Sequence, residues 1–160
     1  MEQALPIEEL AKQRLNALVQ SYSLFSKCLM EEGVDREKAK RASDKAWGIL
    51  GEQVGQQMKT LLAQAEKGVA IKQAATMAES VHGIQTNQEL KEKEIRTEFV
   101  KCPWQEAAEA MEIPRDWRFC PSGHSAFAVN MFKAMYPDAS FQLIRSMPMG
   151  DKTCEGIATF

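Results

Sequence analysis

The stretch that decides the fold is Ile95-Arg96-Thr97-Glu98-Phe99-Val100-Lys101-Cys102-Pro103-Trp104. Ile95, Thr97 and Phe99 alternate with Arg96, Glu98 and Val100, which is the period of a half-buried strand. Cys102-Pro103 ends it, because proline brings no amide to a ladder and its fixed φ suits the first turn of a helix. A short helix is expected from there to about Met111, with Pro114 and Asp116 marking a loop. Cys120-Pro121 opens another helix with the apolar stripe His124, Phe127/Ala128, Met131, Met135, which Pro137-Asp138 stops. Phe141, Leu143 and Arg145 then alternate as a strand, Met149-Gly150-Asp151 reads as a turn, and Thr153 to Phe160 reads as a last strand.

Upstream the period is helical. Ile7, Ala11, Leu15, Leu18, Tyr22, Phe25 and Leu29 step by three or four, with Pro6 suited to the first turn and Gly33 to the stop. Asp35 is positioned to cap a second helix with the stripe Ala39, Ala42, Ala46, Leu50, Val54, Met58, Leu61, Ala65, ending near Gly68. Gly48, Gly51 and Gly55 fall inside it. Each costs about 1 kcal/mol against alanine in a helix interior, so either the helix breaks near residue 50 or the glycines admit a close neighbour; close packing is the favoured reading. A third stripe, Ile71, Ala74, Met77/Ala78, Val81, continues to about Ile84, and the run Glu89 to Glu94 reads as a solvated stretch. The expectation is a single α+β domain over 1–160. Long helices fill 1–87, and a small antiparallel sheet with two short helices fills 88–160.

The totals bound the class. A chain of 160 residues is one domain by size and builds its core without staples. Twenty basic and 22 acidic residues give a net charge of −2, so no basic excess points to nucleic acid or an anionic membrane. The opening MEQALPIEEL has neither a basic n-region nor an apolar h-region, and no apolar run approaches the ~20 residues of a membrane span, so a cytoplasmic setting is expected. There the four cysteines would be free thiols, metal ligands or catalytic groups rather than disulfides.

Chemistry is expected around Cys102, Cys120, His124 and Cys154. Cys102-Pro103 and Cys120-Pro121 each place a thiol where a helix N-cap is expected, and a helix N-terminus favours thiolate. His124 follows Cys120 by one helical turn, so both side chains share a face. Cys154 lies in a strand able to pair with the strand that ends at Cys102. Three readings of the set stand side by side. The four bind a metal, zinc or iron by donor type, although the spacing is no standard zinc-finger spacing. Alternatively Cys120 is a nucleophile with His124 as its base and Asp151 or Asp116 orienting the imidazole. In the third, the cysteines are small core residues and His124 a satisfied one. Cys28 reads as core, His82 as surface or a helix end, and Trp47, Trp104 and Trp117 as packing residues rather than a ligand cage. Arg96, Arg115, Arg118 and Arg145 flank the region, where one would suit a substrate carboxylate. The helix stripes also allow a homodimer, with the glycines at 48, 51 and 55 in its contact.

The run Phe99-Val100-Lys101-Cys102-Pro103-Trp104, the later Cys120, and the closing Met149-Gly150-Asp151-Lys152-Thr153-Cys154 together resemble the L-2-amino-thiazoline-4-carboxylic acid hydrolase family. The final Gly-Asp-x-x-Cys is also similar to the end of 4-vinyl reductase type small-molecule-binding domains. The first resemblance implies hydrolytic opening of a cyclic amidine to a carbamoyl-cysteine, with Cys102, Cys120 and Cys154 at family positions. The second implies a non-catalytic sensor module for a small molecule or a metal. A small-molecule substrate or ligand is the partner under either.

Overall fold

The computed structural model describes residues 6–160, so the reading of residues 1–5 lies outside it. Helix α1 runs Ile7–Glu31, with Pro6 at its N-cap and Gly33 in the left-handed region (φ 68°) just past its end. Helix α2 runs unbroken over Arg36–Leu61, and the Asp35 carboxylate accepts the Lys38 amide at 2.8 Å as its cap. It stops well before Gly68, which instead lies in the first turn of α3 (Lys67–Val81), where the Glu66 carboxylate accepts the Gly68 and Val69 amides. Gly68 is small because the Phe160 ring lies on it: a Cβ there would be 2.8 Å from Phe160 Cζ. Helix α3 ends at Val81, three residues before the expected Ile84, because Gly83 takes φ 70°.

Strand β1 (Gln85–Leu90) pairs with β2 (Glu94–Lys101) in a hairpin. The stretch expected to be solvated thus forms the end of β1, the hairpin tip and the first residue of β2. Its polar sequence hid the strand: β1 is an edge strand with little buried surface. Next come α4 (Pro103–Ala110), a 3-10 turn at Arg115–Trp117, α5 (Cys120–Met135), β3 (Ser140–Arg145), a second 3-10 turn at Met147–Met149, and β4 (Cys154–Thr159). The sheet order is β1-β2-β4-β3, antiparallel throughout. The chain is therefore α+β as the sequence suggests.

Helices α3 and α5 cover one face of the sheet, and α2 lies along α5. Ile71, Ala75 and Ala78 from α3, Ile95 from β2, Phe127, Ala128, Met131 and Phe132 from α5, and Ala158 from β4 form the core between them. Gly51 and Gly55 face the α5 main chain, so the close-packing reading holds, within this one chain. Helix α1 packs on α4 and buries Val19, Ser23 and Ser26, whereas Ile7, Leu18 and Phe25 of its expected stripe are exposed. Periodicity located that helix but set its buried face about one residue out. Among the described residues no helix is long and apolar enough to cross a membrane.

Candidate functional site

The site begins with register. Phe99 on β2 pairs with Cys154 on β4, so both side chains point to the helix-covered face. One step beyond β2, Cys102 is the N-cap of α4 with Pro103 at N1, as expected. Cys120 is the first residue of α5 itself, with Phe119 as N-cap, so the second Cys-Pro start is offset by one position. His124 follows one turn later. Cys102, Cys120, His124 and Cys154 all line a single pocket of about 680 Å³ of empty space, its open mouth included.

Aromatic rings make most of the remaining wall. Trp47 from α2, Trp104 from α4, Tyr22 from α1, Phe127 from α5 and Phe99 line it, with Ile84, Leu143, Pro121 and Ser146. Trp47 meets Trp104 edge-on at 5.7 Å between centroids, and Tyr22 meets Trp104 at 5.5 Å. Gly123 lets Trp47 lie against α5, since a Cβ there would be 2.6 Å from Trp47 Cδ1. Trp47 and Trp104 are thus pocket walls as well as packing residues, while Trp117 lies outside this pocket. His82, expected at a surface or helix end, does cap α3 but turns its ring onto Trp47 (5.5 Å) and Phe127 (5.4 Å) and lines the pocket. Sequence reading missed it because it stands alone, far from the Cys/His cluster.

The electrostatics follow from burial. The His124 ring packs edge-on against Phe99 (5.0 Å) and Phe141 (5.5 Å), and burial pulls its pKa down to about 4, so it is neutral near pH 7. His124 lines the pocket. Burial lowers His82 as well, against a smaller opposing effect of the Ala78 backbone. All three pocket thiols are pushed above the usual thiol range by burial. For Cys120, neighbouring Cys102 and Cys154 add to it and Arg118 opposes; for Cys102, the Gln105 and Trp104 amides oppose it in part. The helix N-termini do not overcome desolvation, so these are thiols rather than resting thiolates. Cys28, expected in the core, is exposed.

Asp151 does not reach the imidazole. It is exposed, and its carboxylate accepts the Ser146 amide at 2.8 Å, closing the turn between β3 and β4. Asp116 is also exposed and outside the pocket. None of the flanking arginines lines the pocket: Arg96 and Arg145 approach Glu155, Arg115 is exposed, and Arg118, near enough to act on Cys120, donates to the Ile113 carbonyl at 2.9 Å. Among the described residues, no Asp, Glu, Lys or Arg lines the pocket. The four expected metal ligands face it from α4, α5 and β4, and no three His, Cys, Asp or Glu side chains among the described residues are placed to hold one ion. The zinc or iron reading therefore finds no support in the arrangement. A second cavity lies behind His82, His124 and Phe127, and Glu79 lines that one.

The family model for L-2-amino-thiazoline-4-carboxylic acid hydrolase matches residues 13–156. No curated protein matches the chain by sequence. Among solved structures, the phenol-responsive sensory domain of the transcription activator PoxR, crystallised with phenol, superposes with TM-score 0.63 at 10% identity, covering 88% of this chain and 73% of that one. A trafficking protein particle complex subunit 3 from Naegleria fowleri, covalently bound to palmitic acid, superposes with TM-score 0.60 at 14% identity, covering 92% and 95%. At these identities the likeness is one of fold.

Proposed function

The chain belongs to the L-2-amino-thiazoline-4-carboxylic acid hydrolase family, and from that premise we propose that it binds a small, uncharged, ring-shaped molecule in the aromatic pocket. The observation that carries this reading is the composition of the wall: rings, thiols and two imidazoles depressed by burial, with no charged side chain among the described lining residues. An ionised ligand would lose its hydration there with no opposite charge to offset the cost. A planar apolar ring gains edge and face contacts with Trp47, Trp104 and Phe127. Of the two structural neighbours, the sensory domain is described with phenol, a small uncharged ring, and the trafficking subunit with covalently bound palmitic acid.

Trp47 and Trp104 make the test direct. Titration with phenol should change tryptophan emission saturably, and benzoate, the charged counterpart, should not compete. If benzoate binds as well as phenol, the uncharged-ligand reading fails.

A second reading is favoured by the convergence of His124 and three thiols on one volume, and it keeps the family's reaction. Water attacks C2 of the thiazoline ring and its oxygen becomes the carbamoyl carbonyl; the C2–S bond breaks, one water proton ends on the sulfur and the other on the ring nitrogen, so that one water is added and a carbamoyl-cysteine results. In this reading His124, which lines the pocket, takes one proton from water and returns it to sulfur, although burial makes it a weaker base than a free imidazole. Incubation with L-2-amino-thiazoline-4-carboxylate, with His124→Ala as control, decides this reading. Wild-type product lost in the variant supports it, and no wild-type product removes it.

A further inference from the structure

We propose that the pocket reads one neutral hydrogen-bonding substituent on its ligand, a hydroxyl or carbonyl carried by an otherwise apolar ring, through the Ser146 hydroxyl beside Cys154. The inference rests on the binding reading above and sharpens it to a ligand class.

Ser146 is 2% exposed and lines the pocket. Its main chain is fully used. The N–H donates to the Asp151 carboxylate at 2.8 Å, and the carbonyl accepts the Met149 amide at 2.9 Å and the Asp151 amide at 3.2 Å. Gly150, at φ 108°, turns the chain so that Asp151 can reach back. The residue is thus clamped from both ends. Its Oγ nevertheless makes no well-formed hydrogen bond among the described residues; the Cys154 thiol lies close enough to feel the hydroxyl but leaves it unsatisfied. A buried hydroxyl left in that state costs about 1–3 kcal/mol, and folded proteins keep few such groups. Two other buried polar atoms share it, Asp44 Oδ1 and Gln105 Oε1, but neither residue lines this pocket.

The neighbouring thiol belongs to the same corner. Cys154 Sγ accepts the Met147 amide at 3.3 Å, which leaves its S–H available as a weak donor. Ser146 and Cys154 therefore form a polar corner of the pocket that Trp47, Trp104 and Phe127 also line. A hydroxyl or carbonyl on a ring held by those aromatics would satisfy Ser146, and an ionised group would find no counter-charge. The Gly-Asp-x-x-Cys signature acquires a physical role: Gly150 turns, Asp151 clamps Ser146, and Cys154 lines the pocket. Asp151 is a positioning residue in this account.

The test compares phenol with toluene, rings of similar size with and without a hydroxyl, by tryptophan emission or calorimetry. Ser146→Ala should weaken phenol about tenfold, one hydrogen bond's worth, and leave toluene within about twofold, which also shows the pocket intact. Asp151→Ala should reproduce this selective loss, and Asp151→Asn, which keeps an acceptor for the Ser146 amide, should restore phenol binding. A Ser146→Ala loss shared equally by both probes, or no loss, overturns the inference and leaves the binding reading standing. Failure of wild-type protein to bind either ring overturns both.

Discussion

Gly51 of α2 rests directly on the main chain of Phe127 in α5: a Cβ at position 51 would lie 2.9 Å from Phe127 Cα and overlap the Phe127 carbonyl oxygen. Backbone cannot yield as a flexible side chain can, so Gly51→Ala must push the two helices apart. The expected loss is about 3 kcal/mol, at the upper end of ordinary overpacking, measured by urea unfolding. Gly48→Ala is the contrast. Its Cβ would meet only the Asn130 side chain, at 3.2 Å from Nδ2, which can move. Relief of the helix-interior glycine, about 1 kcal/mol, should leave that variant at least as stable as wild type.

Glu79 links helix α3 to the edge strand. Its carboxylate accepts Thr86 Oγ1 at 2.8 Å and Gln88 Nε2 at 2.9 Å, yet burial lifts its pKa to about 7. The folded pKa lies above that of the unfolded chain. The stabilising contribution is therefore complete below about pH 4.5 and is lost as pH rises to about 7. Glu79→Gln keeps an acceptor for both donors and does not ionise. Its stability relative to wild type should rise by on the order of 3 kcal/mol from pH 4.5 to pH 8, read by urea unfolding at both. A difference that does not change with pH would mean that Glu79 ionises freely in the folded chain.

The parts of the fold that were legible were those where one physical signal dominated. Alternation at Ile95, Thr97 and Phe99 gave β2, and helix starts at Asp35, Cys102 and Cys120 were found to within a residue. Gly51 and Gly55 signalled close packing because nothing else justifies their cost inside α2. Strand β1 stayed hidden because an edge strand of QTNQEL buries too little to show a pattern. In the site, the Cys/His cluster was legible from local spacing. His82, Trp47 and Ser146 were not, because each enters the pocket from a distant element and only tertiary packing brings them together. Asp151 was legible as important but not in its role, since which amide a carboxylate accepts depends on the turn.

The chain has two histidines, His82 and His124, so one variant, His82→Asn, assigns both imidazole titrations. Burial lowers both, His124 to about 4. Unfolded imidazoles protonate near pH 6.5, so the contribution of these groups to stability is complete above that pH and is lost as pH falls toward 4. Imidazole NMR signals should show neither ring titrating at 6.5, with His124 remaining neutral at pH 5. A His124 midpoint near 6.5 would mean that the ring is freely hydrated and that the pocket is not the dry, uncharged volume proposed.

Thiol reactivity separates a dry pocket from an activated nucleophile. Cys28 is exposed on α1, whereas Cys102, Cys120 and Cys154 are held above the usual thiol range, first of all by burial. Reaction with an aromatic disulfide reagent at pH 8 needs thiolate and access together. One thiol should react fast and three slowly, and Cys28→Ser should abolish the fast phase alone. Saturating phenol should slow the remaining three further, because they line the volume it would fill. If the fast phase instead survives Cys28→Ser and disappears in Cys120→Ser, Cys120 carries an activated thiolate. The hydrolytic reading would then displace simple binding, because a buried thiol lowers its pKa against desolvation only when the site is built to use the charge.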